Sequence, residues 1–213
     1  MIKSNSILNI KNLNVEFPIF GGIFQREISV VHAVKNLSLD IPVGKTIGIV
    51  GESGSGKSTL GKAIINVLKL TAPDVRINGE ILININDKKI DLLRLNRTQL
   101  KKYRPQIQMI FQDPYSSLNP RMIVQDIIQE PLDLHTNLSK KEKKEKVSWL
   151  LEKVGLSAEQ GTRYPHEFSG GQRQRIGIAR SIATEPKIII ADEPVSALDV
   201  SIQAQVINLM MDL

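Results

Sequence analysis

The run Gly51-Glu52-Ser53-Gly54-Ser55-Gly56-Lys57-Ser58 constrains this chain more than any other stretch. It fits G-x-x-x-x-G-K-[ST], the spacing of a phosphate-cradling loop. An apolar run, Thr46–Val50, precedes it and a helical pattern over Thr59–Leu68 follows, so the spacing predicts strand, tight loop and helix in that order. Gly51, Gly54 and Gly56 remove the Cβ atoms that would hold the backbone away from an anion. Successive N–H groups and the N-terminus of the helix then form an anion nest. Lys57 brings positive charge for β- and γ-phosphates, Ser58 a hydroxyl for Mg²⁺, and Thr59 a contact to the α-phosphate; Glu52, Ser53 and Ser55 complete the loop. A dinucleotide fingerprint fits less well, because Lys57-Ser58 after the last glycine is the mononucleotide pairing.

Two later stretches add chemistry. Ser169-Gly170-Gly171-Gln172 opens a helical pattern with a hydroxyl at the N-cap position and two glycines behind it. Those residues suit a second anion site without a lysine, and they suit an ordinary helix cap equally well. Ile188–Ala191 reads as a buried strand that delivers two carboxylates at its end, Asp192 and Glu193. Asp192 would hold Mg²⁺, directly or through water, and Glu193 would orient and deprotonate an attacking water.

Around these motifs the pattern is mixed. Leu8, Ile10, Leu13, Val15 and Phe17, then Val34, Leu37, Leu39 and Ile41, predict strands with one buried face, broken at Gly21-Gly22, and Pro42-Val43-Gly44 predicts a turn. Further strands are expected at Ile77–Ile85, Ile107–Phe111 and Lys187–Ala191, with a short helix at Asn96–Tyr103. Helices are expected at Met122–Leu134, at Ser139–Val154 with Ser139 as N-cap, and at Gly170–Ala183. A last helix starts near Val200, with Ile202, Val206, Leu209 and Leu213 on one face. This predicts a sheet domain over 1–111 and 185–213, interrupted by a helical segment over 112–184.

Composition enters mainly by exclusion. There is no cysteine, which rules out disulfides and thiolate metal sites within these residues, and His32, His135 and His166 have no ligand spacing. The net charge of +6 could point to nucleic acid, but Lys140–Lys146 interleaves acids and leads into Val147, Leu150, Leu151 and Val154 at helical spacing. That is the solvated face of an amphipathic helix, so no nucleic-acid partner is expected. Neither a signal-peptide pattern nor an apolar run long enough to span a bilayer is found, and the chain is expected to be cytoplasmic.

Taken in order, the loop at 51–58, Ser169–Gln172 and Asp192-Glu193 resemble the ATP-binding cassette (ABC) ATPases. The resemblance implies an α/β P-loop NTPase fold: a mixed-sheet RecA-like core, N-terminal antiparallel β strands and an inserted helical subdomain. It implies ATP and Mg²⁺ as ligands, and it turns Ser169, Gly170, Gly171 and Gln172 into the signature sequence that caps a second chain's ATP in a head-to-tail dimer. Ile110-Phe111-Gln112-Asp113-Pro114 is similar to the family's Q-loop, whose glutamine contacts the metal and the attacking water. Ser196-Ala197-Leu198-Asp199 matches the D-loop at the dimer interface. Phe17 falls where the family has an aromatic that stacks on adenine, and a core role suits it as well. The signature is preceded by Phe168 where many members have leucine.

The stretches Gly51–Gly61, Phe111–Arg121, Pro165–Arg175 and Val200–Gln205 are similar, more narrowly, to the oligopeptide/dipeptide/nickel importer ATPases. Gly21-Gly22 and the Gly-Gly-Gln signature resemble the second of the two ATPase subunits of such systems. The resemblance implies an ATPase that powers import of peptides or a related small solute. Its partners would be a sister ATPase subunit or a second copy, two transmembrane permease subunits and, indirectly, an extracytoplasmic solute-binding protein, with the chain peripheral on the inner face of the membrane. Tyr115–Arg121 would lie near the groove for the permease's coupling helix. In the family a further strand and a switch histidine follow the D-loop, whereas this sequence stops at Leu213. It therefore reads as truncated, with some core left uncovered, and the alternative is a nucleotide-binding or pairing module that does not hydrolyse ATP.

Overall fold

A computed structural model describes residues 6–196 and 198–212. The chain divides into two compact units, Met1–Tyr103 and Arg104–Leu213. In the first, β1 (Ser6–Gly21) and β2 (Arg26–Pro42) form a long antiparallel hairpin. Gly22 accepts the turn bond from Gln25 N–H at 3.2 Å, so the Gly21-Gly22 break is a hairpin turn. Leu8 and Ile10 point inward, and so do Leu13 and Val15, although the alternation slips by one residue between the pairs. An irregularity between Ile10 and Leu13 absorbs the slip, with Asn12 in the left-handed region at φ 47°. Such a bulge keeps both apolar pairs on the buried face.

α1 (Lys57–Ile64) follows the glycine-rich loop and buries Leu60, Ala63 and Ile64. It stops because Asn66 turns left-handed at φ 52°, and the N–H groups of Asn66 and Val67 bond back to Ala63 O and Lys62 O at 3.0 and 3.1 Å. That closing motif satisfies the last carbonyls and splits the expected Thr59–Leu68 helix, so α2 (Leu68–Thr71) is separate. β3 (Arg76–Ile85) and β4 (Lys88–Asp91) complete a sheet of order β2-β1-β3-β4. α3 (Arg97–Lys101) closes the unit on a capping box between Asn96 and Gln99.

One expectation is corrected. Thr46–Val50 is not a strand: it pairs with none of the described strands and runs exposed, Val50 at 97%. Apolar, β-branched residues favour a pleated surface only where a neighbouring strand takes up their backbone groups, and here none does.

In the second unit β5 (Ile107–Ile110) lies parallel to β6 (Ile188–Ala191), with Ile107 opposite Ile188 and Ile110 opposite Ala191. Between them in sequence come α4 (Pro114–Ser117), α5 (Val124–His135), α6 (Lys140–Lys153) and α7 (Gly170–Ile182); α8 (Val200–Asp212) follows β6. Their inward faces share one apolar core of Ile127, Ile128, Leu132, Leu150, Leu151 and Ile176, each at most 1% exposed. Ser139 caps α6 as expected: its hydroxyl accepts from Glu142 N–H at 3.3 Å and Glu142 accepts from Ser139 N–H at 2.7 Å. Phe168 belongs to this core, as do Val206 and, on its margin, Ile202 and Leu209 of α8; Leu213 lies outside the described residues. No described helix is long and apolar enough to cross a membrane.

Candidate nucleotide site

The glycine-rich loop is shaped by its glycines and closed by its lysine. Gly54 and Gly56 sit at φ 79° and 93°, where a side chain is strained. Gly56 has a second reason to lack a Cβ: one built there would lie 2.1 Å from the carbonyl oxygen of Ala33 on β2. The N–H of Ser55 bonds Glu52 O at 3.2 Å, and Leu60 N–H bonds Gly56 O at 2.9 Å as α1 begins. The Lys57 ammonium donates to the carbonyls of Gly51 and Glu52 at 2.9 and 2.8 Å, drawing the loop into a ring around a positive charge. Ser58 and Thr59 follow in the first turn of α1, where N–H groups lack intrahelical acceptors. Loop curvature, cation and helix N-terminus thus suit a polyphosphate. Phe17, in the same unit, lies half-buried on β1 opposite Val31 of β2.

In the second unit the chemistry gathers at the carboxyl ends of the two parallel strands, where open α/β sheets bind ligands. Asp192 N–H donates to Ile110 O at 3.0 Å, so the ladder continues one residue past β6 before the chains part. Asp192 is buried and Glu193 exposed. Glu193 takes a left-handed backbone, φ 44°, which turns consecutive carboxylates away from simple strand alternation. Across the strand pair, the amide nitrogen of Gln112 donates to Glu193 Oε2 at 2.9 Å and reaches Ser196 Oγ at 3.5 Å. Ser196 Oγ donates to Glu193 O at 3.1 Å. A carboxylate pair beside an amide is an oxygen-rich donor set of the kind Mg²⁺ takes.

Ser169 caps α7 in a reciprocal box: Gln172 N–H donates to Ser169 Oγ at 3.3 Å, and Ser169 N–H donates to Gln172 Oε1 at 3.0 Å. The serine hydroxyl accepts there and keeps its proton for another acceptor, while the Gln172 side chain is committed to the cap. Gly171 has a packing reason: a Cβ there would stand 2.6 Å from Ile202 Cγ2 on α8. Asp199 is exposed at the start of α8, its carbonyl accepting from Ile202 and Gln203 N–H at 2.9 Å each; Ala197 lies outside the described residues.

Several contacts around the site escaped the sequence reading. Arg173 stacks over Tyr115 at 4.0 Å and donates to Pro165 O at 2.8 Å. Arg180 donates to Ser117 O at 2.7 Å, and burial lowers its guanidinium below its ordinary value. Two arginines of α7 thereby hold the short helix that follows Gln112. The signal in the sequence was only their i, i+7 spacing on one helix face, which does not say what they meet. Asp113 caps α4; N–H of Tyr115 and the bonding of Ser116 hold its carboxyl below the usual range.

Glycine-rich loop, paired carboxylates at a parallel strand end, glutamine at the neighbouring strand end and a serine-capped helix define an ATP-binding cassette. The cassette fold has a mixed antiparallel and parallel RecA-like core, N-terminal strands and an interspersed helical subdomain, and solved structures share it. A dimeric post-hydrolysis state of the ATP-binding cassette MJ0796, bound to ADP and Pi, aligns with a TM-score of 0.76 at 28% identity, over 97% of this chain and 82% of that one. CbiO1 from Clostridium perfringens, part of the ABC transporter complex cbiONQ, aligns at TM-score 0.74 and 27% identity over 98% and 73%. The sequence profile of the ABC transporter family matches residues 34–196, and the chain belongs to that family. It is 53% identical over 211 residues to the oligopeptide transport ATP-binding protein OppF of Bacillus subtilis, covering 99% of this chain and 64% of that protein. Against AppF, another oligopeptide transport ATP-binding protein of B. subtilis, identity is 50% over 208 residues, covering 98% and 60%. The glutathione import ATP-binding protein GsiA of Escherichia coli K12 is 47% identical over 213 residues, covering 100% and 33%. The chain thus spans less than two thirds of the length of these relatives.

Proposed function

We propose that the chain binds and hydrolyses ATP as the motor part of an ABC importer for peptides or a related small solute. The observation that carries the reading is the contact of Gln112 with Glu193 at the carboxyl ends of adjacent parallel strands. It brings an amide and a carboxylate 81 positions apart in sequence within hydrogen-bond reach, in a chain that also carries a Lys57-closed phosphate loop. The kinship with oligopeptide and glutathione transport ATP-binding proteins supports the solute class.

In this reading the N–H groups of residues 51–59 and the Lys57 ammonium bind and orient the triphosphate, and Phe17 stacks on the base. Ser58, Gln112 and Asp192 hold Mg²⁺, which neutralises phosphate charge when bound. Glu193 takes a proton from the attacking water at its carboxylate, and Gln112 orients that water. Ser169, the N–H groups of Gly170, Gly171 and Gln172, and Asp199 serve the nucleotide of a second cassette, a sister subunit or a second copy. Residues 112–184 form the signature subdomain and 1–111 with 185–213 the core. Two permease subunits and an extracytoplasmic solute-binding protein complete the importer, with the cassette peripheral on the inner membrane face.

Lys57→Ala removes the loop's cation and is expected to abolish ATP binding, measured by fluorescent-nucleotide titration. Glu193→Gln is expected to bind ATP like the parent and to lose about 10²–10⁴ in hydrolysis rate, the usual worth of a general base. Hydrolysis by Glu193→Gln at the parent rate would refute the assignment of the base.

A further inference from the structure

The contact at the strand ends fixes more than a distance. The side-chain nitrogen of Gln112 carries two hydrogens, one directed at Glu193 Oε2 (2.9 Å) and the other towards Ser196 Oγ (3.5 Å). Glu193 presents a carboxylate and can only accept. Ser196 donates its own proton to the carbonyl oxygen of Glu193 at 3.1 Å, so what it turns towards Gln112 is a lone pair. Both neighbours of the amide nitrogen are therefore acceptors. Turning the amide by half a rotation would set its oxygen against a carboxylate and a hydroxyl lone pair, so the chemistry of its neighbours selects one orientation.

Ser196 is itself held. Its N–H donates to the same Glu193 carbonyl at 3.2 Å, closing the turn that carries Glu193 at φ 44°. One short turn thus binds the backbone of Glu193, presents the Ser196 hydroxyl in a set direction and aims the Gln112 amide. We propose that Ser196 is a positioning residue: together with Glu193 it locks the Gln112 amide so that its oxygen, not its nitrogen, is offered to a divalent cation. A hard cation takes oxygen donors and rejects an N–H face, so an amide free to rotate would offer the wrong atom for part of the time. The inference rests on the placing of Gln112 among the metal ligands above.

The test uses Ser196→Ala, which removes the hydroxyl, and Ser196→Thr, which keeps it. The first readout is the pair of Gln112 side-chain amide proton resonances in the nucleotide-free protein, assigned by their loss in Gln112→Leu. In the parent they are expected to be well separated. Ser196→Ala should draw them towards the values of a freely rotating amide, and Ser196→Thr should restore the separation. The second readout is Mn²⁺ binding with adenylyl imidodiphosphate, followed by electron paramagnetic resonance. Half-saturating Mn²⁺ should rise about tenfold in Ser196→Ala, the lower end of what outer-sphere partners of metal ligands are worth. Ser196→Thr should return it to the parent value, with metal-free nucleotide affinity the same in all three. Amide resonances and Mn²⁺ affinity unchanged in Ser196→Ala would overturn the proposal. If no protein, parent included, binds the nucleotide, the ATPase reading falls, and the amide resonances alone decide whether Ser196 orients Gln112.

Discussion

Alanine at Gly54 and at Gly56 separates two demands that the phosphate loop makes on its glycines. Both residues are left-handed, at φ 79° and 93°. A Cβ at residue 54 meets nothing within 4 Å, whereas one at residue 56 lies 2.1 Å from the Ala33 carbonyl oxygen. Gly54→Ala therefore carries only the conformational cost of an L-residue in that region, about 1–2 kcal/mol. Gly56→Ala carries the same cost and must also displace backbone by roughly 1 Å, an overpacking that adds about 1–3 kcal/mol. The obstacle is strand backbone rather than the flexible end of a side chain, and β2 is anchored along its length by β1. The sum for Gly56→Ala is then about 2–5 kcal/mol, with a gap over Gly54→Ala of about 1–3 kcal/mol. Urea unfolding followed by far-UV circular dichroism reads the gap as a difference in midpoint at common slope. Equal midpoints for the two variants would refute the seating of the loop against Ala33.

Three further outcomes follow from the second unit and the surface. Gly171→Ala should cost about 1–3 kcal/mol in urea unfolding, because the new Cβ meets Ile202 Cγ2 at 2.6 Å. Adding Ile202→Ala removes that atom and should recover part of the loss, so a double-mutant cycle without coupling would reject the contact. Ser139→Ala deletes the cap of α6 and should lower stability by about 1 kcal/mol, with Ser139→Asp close to the parent, measured by thermal unfolding. Asp113, Asp133 and Glu142 are all held below the ordinary carboxylate range: Asp113 by Tyr115 N–H and Ser116, Asp133 by Lys143 and Gln129, Glu142 by Ser139. The unfolded chain then binds more protons than the native one in that range, so their contribution is complete above the ordinary carboxylate values, about 4, and is lost as pH falls through the lowered native ones. Asp133→Asn should flatten the decline of urea midpoints between pH 5 and pH 3, taken as about the span of carboxylate titration, and an unchanged slope would count against the Lys143 pairing.

Much of this protein was legible in sequence because the signals are local. The motif at 51–58 specifies its own curvature through Gly54 and Gly56, and its lysine, one residue past the last glycine, donates to the carbonyls of Gly51 and Glu52 in the same loop. Ser139 and Ser169 each stand three residues before a Glu or Gln, so each cap is written within four residues. The runs at 188–191 and 107–110 became strands as their apolar character predicted, but 188–191 is not the buried strand expected from its four apolar residues, since Ile189 is 41% exposed. The same rule failed at Thr46–Val50, because a strand is a relation between two segments and apolar character supplies only one of them. Tertiary structure alone decided that Gly171 faces Ile202 across two helices, that Arg173 and Arg180 reach back to the segment after Gln112, and that Gln112 meets Glu193 and Ser196. Those pairs lie between 31 and 84 residues apart, as Ile202 from Gly171 and Ser196 from Gln112 show. No local propensity encodes which residues two parallel strands place side by side; register does, and register is fixed only when the apolar faces around it have packed.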